Sequence, residues 1–349
     1  MTVLPTMMSN AIPQPVFNSL RKAGKILTFL SVICLATSEI VAAGNSKVIA
    51  AINQSYHDEQ AKFNQQIEAE AQKCEQQGLA DLAREVRLWG TPFQKQTGSN
   101  DDLPPKVQPE ISPDLPAAER AAREKLLEIR KEYARKLFLL AKKSQKEKYS
   151  SFAYECVQEV LHQDPDHSAA RGLLGYQLIH GEWTTPFSAE KKRKGEVWDS
   201  RWGWIEERNI PRYEHDERLY NGKWITADQE AKLRASFKNG WPIETEHFFV
   251  KTNHSQEKGV ELAGHAEAFH GYFMREFAAI FQTPQQLEKL FEGGAVKQDK
   301  DLHKIDFFRT KEEFVEAITK QCPVARQIQG FYSSSDRKAY FYYNPVAES

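Results

Sequence analysis

Five prolines fall within one short stretch of this chain, at Pro104, Pro105, Pro109, Pro113 and Pro116. Each removes a backbone donor and holds the residue before it out of the α region, so neither a helix nor an interior strand can run through them. With the Gly, Ser, Asn and Asp residues around them they make 91–116 an extended linker. Structure must therefore form in pieces on either side. Residues 44–90 are rich in Ala, Gln, Glu and Lys, with Ile67, Ala71, Leu79 and Leu82 on a weak apolar stripe, which predicts helix. The whole chain has 349 residues, of which 40% are hydrophobic, enough for two or three modest domains.

Ahead of that helix the chain begins with an export signature. Arg21, Lys22 and Lys25 precede the apolar run from Ile26 to Ala36, and the small residues Val41, Ala42 and Ala43 follow before Gly44. A run this short suits the core of a signal peptide and falls below the ~20 residues of a membrane span. The expectation is a signal peptide over 1–43 and an exported, periplasmic or extracellular protein. An uncleaved anchor is the rival, and Met7 or Met8 are alternative starts. A formal net charge of −1 recommends neither nucleic acid nor an anionic membrane as partner. Cys34, Cys74, Cys156 and Cys322 are too widely spaced for a disulfide framework or a zinc ribbon, and the last three read as small buried hydrophobes.

After the linker, residues 117–178 predict a helical hairpin. Leu127, Ala134, Leu137, Phe138 and Ala141 recur at helical spacing, as do Ala153, Cys156, Val157, Val160 and Leu161. An Asp164-Pro165 turn then leads to Ala169, Ala170 and Leu173. Proline ends one helix and small alanines let the next pack closely, as at the junction of tetratricopeptide-type helices. A single junction is legible, so the segment is repeat-like without being an array.

Residues 179–235 carry an internal echo. Gly181-Glu-Trp183-Thr184-Thr185 is answered by Gly222-Lys-Trp224-Ile225-Thr226. Asn221-Gly222 accepts the positive φ angles of a type I′ hairpin, and Thr226 with Gln229 forms a capping box that opens a helix at Ala227. Thr185 and Pro186 start the helix of the first copy. Six of the seven tryptophans lie between Trp183 and Trp241. Trp202 and Trp204 are candidate ligand-contact residues, able to stack on sugars or peptides. The competing reading makes Trp the core of small hairpins that have few aliphatic residues.

Residues 236–349 alternate. A strand is predicted over Glu246–Thr252, a long helix over Gln256–Phe281, a strand over Lys304–Arg309 and a helix over Lys311–Thr319. A hairpin follows, with Gly330–Ser333 and Lys338–Tyr343 as its arms. The fold class is α+β and predominantly helical, ending in an α/β layer. This ending, with the Gly-x-Trp-x-Thr modules before it, resembles the front half of a gluzincin-type zinc metallopeptidase domain. More narrowly it resembles secreted bacterial proteins of unassigned function, in which such a domain follows helical repeats. The resemblance rests on Phe248-Phe249-Val250, the long helix, Ile305–Ile318 and Gly330-Phe331-Tyr332, and covers roughly residue 151 onward. It implies that the hairpin near Tyr343 leads into a helix carrying H-E-x-x-H, whose two histidines share a zinc ion with a glutamate beside them. No H-E-x-x-H occurs in the 349 residues. The expectation is a truncated member with no catalytic residue to assign and no cofactor, zinc being implied only for a complete domain. The hairpin is then expected to expose apolar area and an open edge, making residues from about Gly294 onward the least stable part.

Three Glu-x-x-His pairs stand elsewhere: Glu159/His162, Glu244/His247 and Glu267/His270, the last close to His265. Such pairs ligate metals when two copies face each other. Nothing in the sequence brings these together, so they are expected to be polar helix and loop residues and the metal set is left empty. Lys191, Lys192, Arg193 and Lys194 form a basic cluster that reads as a solvated helix face. The functional expectation is an exported, non-catalytic scaffold that binds protein or peptide through its helical region. A zinc peptidase whose second half lies in another reading frame is one alternative, and glycan binding through the Trp-rich segment is the other.

Overall fold

The computed structural model describes residues 46–91, 107–108, 110–294 and 301–345. The expected signal peptide, Cys34 and most of the proline-rich linker lie outside them. The fold is α+β. It divides into two compact units: one of residues 46–186 and 271–294, the other of 187–270 and 301–345. Among the described residues no helix is long and apolar enough to cross a membrane.

The first unit is built on helices α1 (Ser46–Gln76), α2 (Ala80–Leu88), α3 (Ala117–Lys146), α4 (Ser150–Gln163) and α5 (Ser168–Leu173). The expected hairpin is present as α3 and α4. The segment N-terminal to the linker joins the same core: Ile52, Phe63, Ile67 and Val86 are buried with Leu126, Leu137, Val157 and Val160. Phe63 stacks on Tyr133 with ring centroids 4.2 Å apart. Each such side chain contributes about 1.5–3 kcal/mol by leaving water, which a weakly amphipathic α1 could not gain alone. Strands β1 (Gln177–Ile179) and β2 (Glu182–Thr184) close the continuous part of this unit. Later residues join this core: Ala278, and Leu287 and Phe291 of the helix Pro284–Phe291, are buried in the same cluster. Thr283 caps that helix with Gln286 in a capping box, a local signal that apolar periodicity does not carry.

The second unit opens with α6 (Pro186–Arg193) and the hairpin β3 (Glu196–Asp199) and β4 (Gly203–Glu206). After them come α7 (Ile210–Glu214), the hairpin β5 (Glu217–Tyr220) and β6 (Lys223–Thr226), and α8 (Ala227–Arg234). The echo seen in the sequence is thus threefold along the chain: β1–β2, β3–β4 and β5–β6 are each followed by a helix. The outer copies turn on His180-Gly181 and Asn221-Gly222, all four residues with positive φ as a type I′ turn requires. The middle copy lacks this sequence signature because its turn differs. Asp199 Oδ1 accepts from the backbone N–H groups of Arg201 and Trp202, and Gly203 takes φ +75°.

A five-stranded mixed sheet completes this unit, from β7 (Trp241–Glu244), β8 (Phe248–Thr252), β9 (His303–Phe308), β10 (Gly330–Ser333) and β11 (Lys338–Tyr342), in the order β10-β11-β9-β8-β7. Three helices lie between β8 and β9 in the chain: α9 (Gln256–Glu276), α10 (Ala278–Phe281) and α11, the Pro284–Phe291 helix described above. Helix α12 (Lys311–Ile318) follows β9. The predicted long helix is interrupted at Phe277, which leaves helical geometry at φ −111°. Alternation along the strands sets two faces. Ile243, Val250, Ile305 and Phe307 pack with Val260 and Ala263 of α9. Phe308 and Tyr340 pack with Phe314, Val315 and Ile318 of α12. Both faces of the parallel part are therefore covered. The sequence expectation that the C-terminal hairpin leaves its apolar area uncovered is corrected here, while the open edge it named is present at β10 among the described residues. Tyr340 is buried, Phe331 and Tyr342 pack on the α12 cluster, and Phe341 packs on the α9 cluster. The aromatic residue left outside is Tyr332, 54% exposed on the edge strand β10.

Candidate functional site

The two aromatic candidates do not form a platform. Trp202 is only 5% exposed. Arg201 lies 3.8 Å over its ring, Tyr213 is 5.2 Å away, and Gln256 Nε2 donates to its carbonyl at 2.8 Å. Trp204 is half-buried between Phe187 and Trp198, meeting both edge-on at 6.0 and 5.7 Å. In the other unit Trp183 is buried and donates from Nε1 to Asp166 Oδ1 at 2.8 Å. These contacts favour tryptophan as the core of small hairpins. The basic cluster is a polar face, with Lys191 paired to Glu196 at 3.4 Å and Lys194 to Glu190 at 2.8 Å. Cys74, Cys156 and Cys322 are free and buried, as expected.

The strongest chemical constellation lies in the sheet unit, among residues that the sequence presents only as separate Glu-x-x-His pairs. His247 sits in the turn between β7 and β8. Glu267 and His270 are one turn apart on α9, which directs both side chains to one face. One ligand atom from each of His247, Glu267 and His270 lies within 4.8 Å of the other two. His247 Nδ1 is 2.7 Å from Glu267 Oε2, and the backbone N–H of His247 donates to Glu267 Oε1 at 2.7 Å. The rings of His247 and His270 stack with centroids 4.1 Å apart. Phe248 meets His270 edge-on at 6.0 Å, and the exposed His303, first residue of β9, has its ring 5.9 Å from that of His270.

Sequence spacing identified Glu267/His270 as a local pair and wrongly kept His247 apart from it. The other members of the three pairs do not join them. Glu244 is exposed at the end of β7, and Glu159 and His162 lie on α4 in the helical unit, where Glu159 belongs to a tyrosine cluster; the neighbouring His265 is exposed. A β-turn on one element and a helix face twenty residues away meet only when β8 and α9 pack, and no local signal carries that.

The electrostatics follow from half-burial of opposite charges. Burial disfavours the His247 cation, but its hydrogen bond and charge interaction with Glu267 outweigh this and raise its pKa. Burial would raise Glu267, and hydrogen bonds from His247 and Thr245 bring it below its ordinary value instead. His270 is pushed down to about 4, by burial first and by the neighbouring His247 charge second, so its ring is neutral at pH 7. Two imidazoles and an oriented carboxylate can share a proton, bind an anion weakly through His247, or hold a metal ion. Comparison with family models, with curated proteins and with solved structures gives no match to this chain.

Proposed function

We propose that the protein is an exported scaffold that binds an extended segment of protein or peptide. The observation that carries this reading is the free edge of the mixed sheet. Among the described residues, strand β10 pairs with β11 on one side only. An edge strand offers a row of backbone donors and acceptors to which an extended peptide can add as a further strand. The opposite edge is blunted. Pro242 of β7 has no N–H, and the β3–β4 hairpin sits against that strand, with Gly203 close to Ile243. Tyr332 gives β10 an exposed aromatic side chain for recognition. The helical unit and the Trp hairpins then serve as the scaffold, and the burial of Trp202 speaks against a glycan platform. The resemblance to a gluzincin domain remains a proposal from sequence, tested by reading the nucleotides beyond Ser349 for H-E-x-x-H.

The test is selection of displayed peptides against the full chain, followed by amide hydrogen exchange of the complex. Bound peptide should protect amides of residues 330–333, and Tyr332→Pro should abolish binding while the circular dichroism spectrum is kept. Protection over 117–173 instead would move the site to the helices. Absence of any selected binder would remove the reading.

A further inference from the structure

We propose that His247, Glu267 and His270 form a site for one divalent transition-metal ion, with zinc as the best-fitting occupant. Two imidazoles and one carboxylate are a ligand set that zinc takes with a fourth position left to water, and they suit the neighbouring ions of the same series. This inference is independent of peptide binding at β10.

Geometry is the first support. Zinc bonds nitrogen and carboxylate oxygen at about 2.0–2.2 Å, so tetrahedral ligand atoms stand about 3.4 Å apart. The three donor atoms lie within 4.8 Å of one another, and small side-chain rotations close the difference. The ion would take the place of the proton between His247 Nδ1 and Glu267 Oε2, now 2.7 Å apart. It would also tie the β7–β8 turn to helix α9.

Preorganisation is the second. The backbone N–H of His247 holds Glu267 Oε1 at 2.7 Å, and Thr245 adds a side-chain hydrogen bond. The carboxylate is thereby oriented with its other oxygen toward the ring, the outer-shell support that metal sites use. His270 is the third. An ion pair between His247 and Glu267 needs no second imidazole, yet His270 lies face to face with His247 at 4.1 Å, one helical turn from Glu267. Among the described residues, these are the only three His, Cys, Asp or Glu side chains that come together in this way.

The test uses the tag-free full chain stripped with a chelator and titrated with Zn²⁺ against a chromophoric competitor, with Co²⁺ as an optical probe. The expected result is one equivalent bound. Glu267→Gln and His270→Ala should each weaken binding by more than about tenfold, the least that loss of even an outer-shell partner costs a metal site. His265→Ala, on the exposed face of the same helix, should bind as the unmodified protein does. Because a misfolded variant would lose metal trivially, the unmodified protein is also followed by ¹⁵N NMR of its ten histidines. Zn²⁺ should shift the ring nitrogens of His247 and His270. No stoichiometric binding, unchanged affinity in folded Glu267→Gln and His270→Ala, or shifts confined to other histidines would each overturn the proposal and leave an ion pair with a bystanding imidazole.

Discussion

The hydroxyl of Tyr133 donates a 2.8 Å hydrogen bond to Oε1 of Glu159, a carboxylate that is 3% exposed in the middle of the helical unit. Tyr56 donates to Oε2 at the same distance, so helices α1, α3 and α4 meet on one side chain. Burial raises the pKa of Glu159 above its ordinary 4.5, and the two tyrosine hydrogen bonds oppose the rise without cancelling it. The folded state therefore binds this proton more tightly than the unfolded chain. Stability falls as pH rises from about 4.5 through the raised value, and the penalty is complete above it. Glu159→Gln removes the titration. Its melting temperature relative to the unmodified protein should climb between pH 4 and pH 8, and a difference that stays flat or shrinks would show that the carboxylate is not the titrating group.

Tyr133→Phe keeps the ring against Phe63 and deletes one donor to the buried carboxylate. A hydrogen bond to a charged group contributes about 1.5–3 kcal/mol, and that loss is expected in urea unfolding at pH 7. The loss should shrink at pH 4, where Glu159 is protonated.

Trp202→Ala removes a ring clasped by Arg201 and Tyr213. Truncating a buried aromatic costs about 3–5 kcal/mol, so the second unit should lose stability by that order. Loss of polysaccharide pull-down with an unchanged unfolding curve would restore the glycan reading.

Asn253 is 1% exposed and satisfies three groups: it accepts from Arg309 N–H and donates to the Ala235 carbonyl and to Glu313 Oε1. It joins the end of β8 to the cap of α12, where Thr310 and Glu313 form a capping box. Asn253→Ala strands these partners, each at about 1–3 kcal/mol, and should destabilise more than Thr310→Ala, a cap loss of about 1 kcal/mol. Equal effects in denaturant unfolding would refute the ranking.

The C-terminal hairpin gives a contrast within itself. Strand β11 lies between β9 and β10, with Tyr340 buried, while β10 is an edge. Amides of β11 should exchange more slowly than those of β10 that face outward. Uniformly fast exchange across 330–342 would instead match the expectation from sequence of an unsupported end.

How much was legible depends on the range of the signal. Asn221-Gly222 announces its hairpin and Thr226/Gln229 its helix because both act within four residues. The Asp164-Pro165 break and the stripe from Ala153 to Leu161 likewise locate the helical hairpin. Strand β7 was hidden by Pro242, which reads as a breaker yet is tolerated on an edge. The hairpin β3–β4 was hidden because its turn uses Asp199 and Gly203 in place of the Asn-Gly pair.

The sequence by itself marked several element boundaries, at Asp164-Pro165, Asn221-Gly222 and Thr226 among them, since proline, glycine, capping threonines and apolar periodicity act on their own neighbours. It also marked Glu267 and His270 as a pair, because one helical turn is a local distance. Tertiary structure alone decided that α1 shares a core with α4, that β11 is interior and β10 an edge, and that His247 reaches Glu267. Those relations join residues far apart in the chain, and the energy that sets them comes from burial of surfaces that no short segment contains.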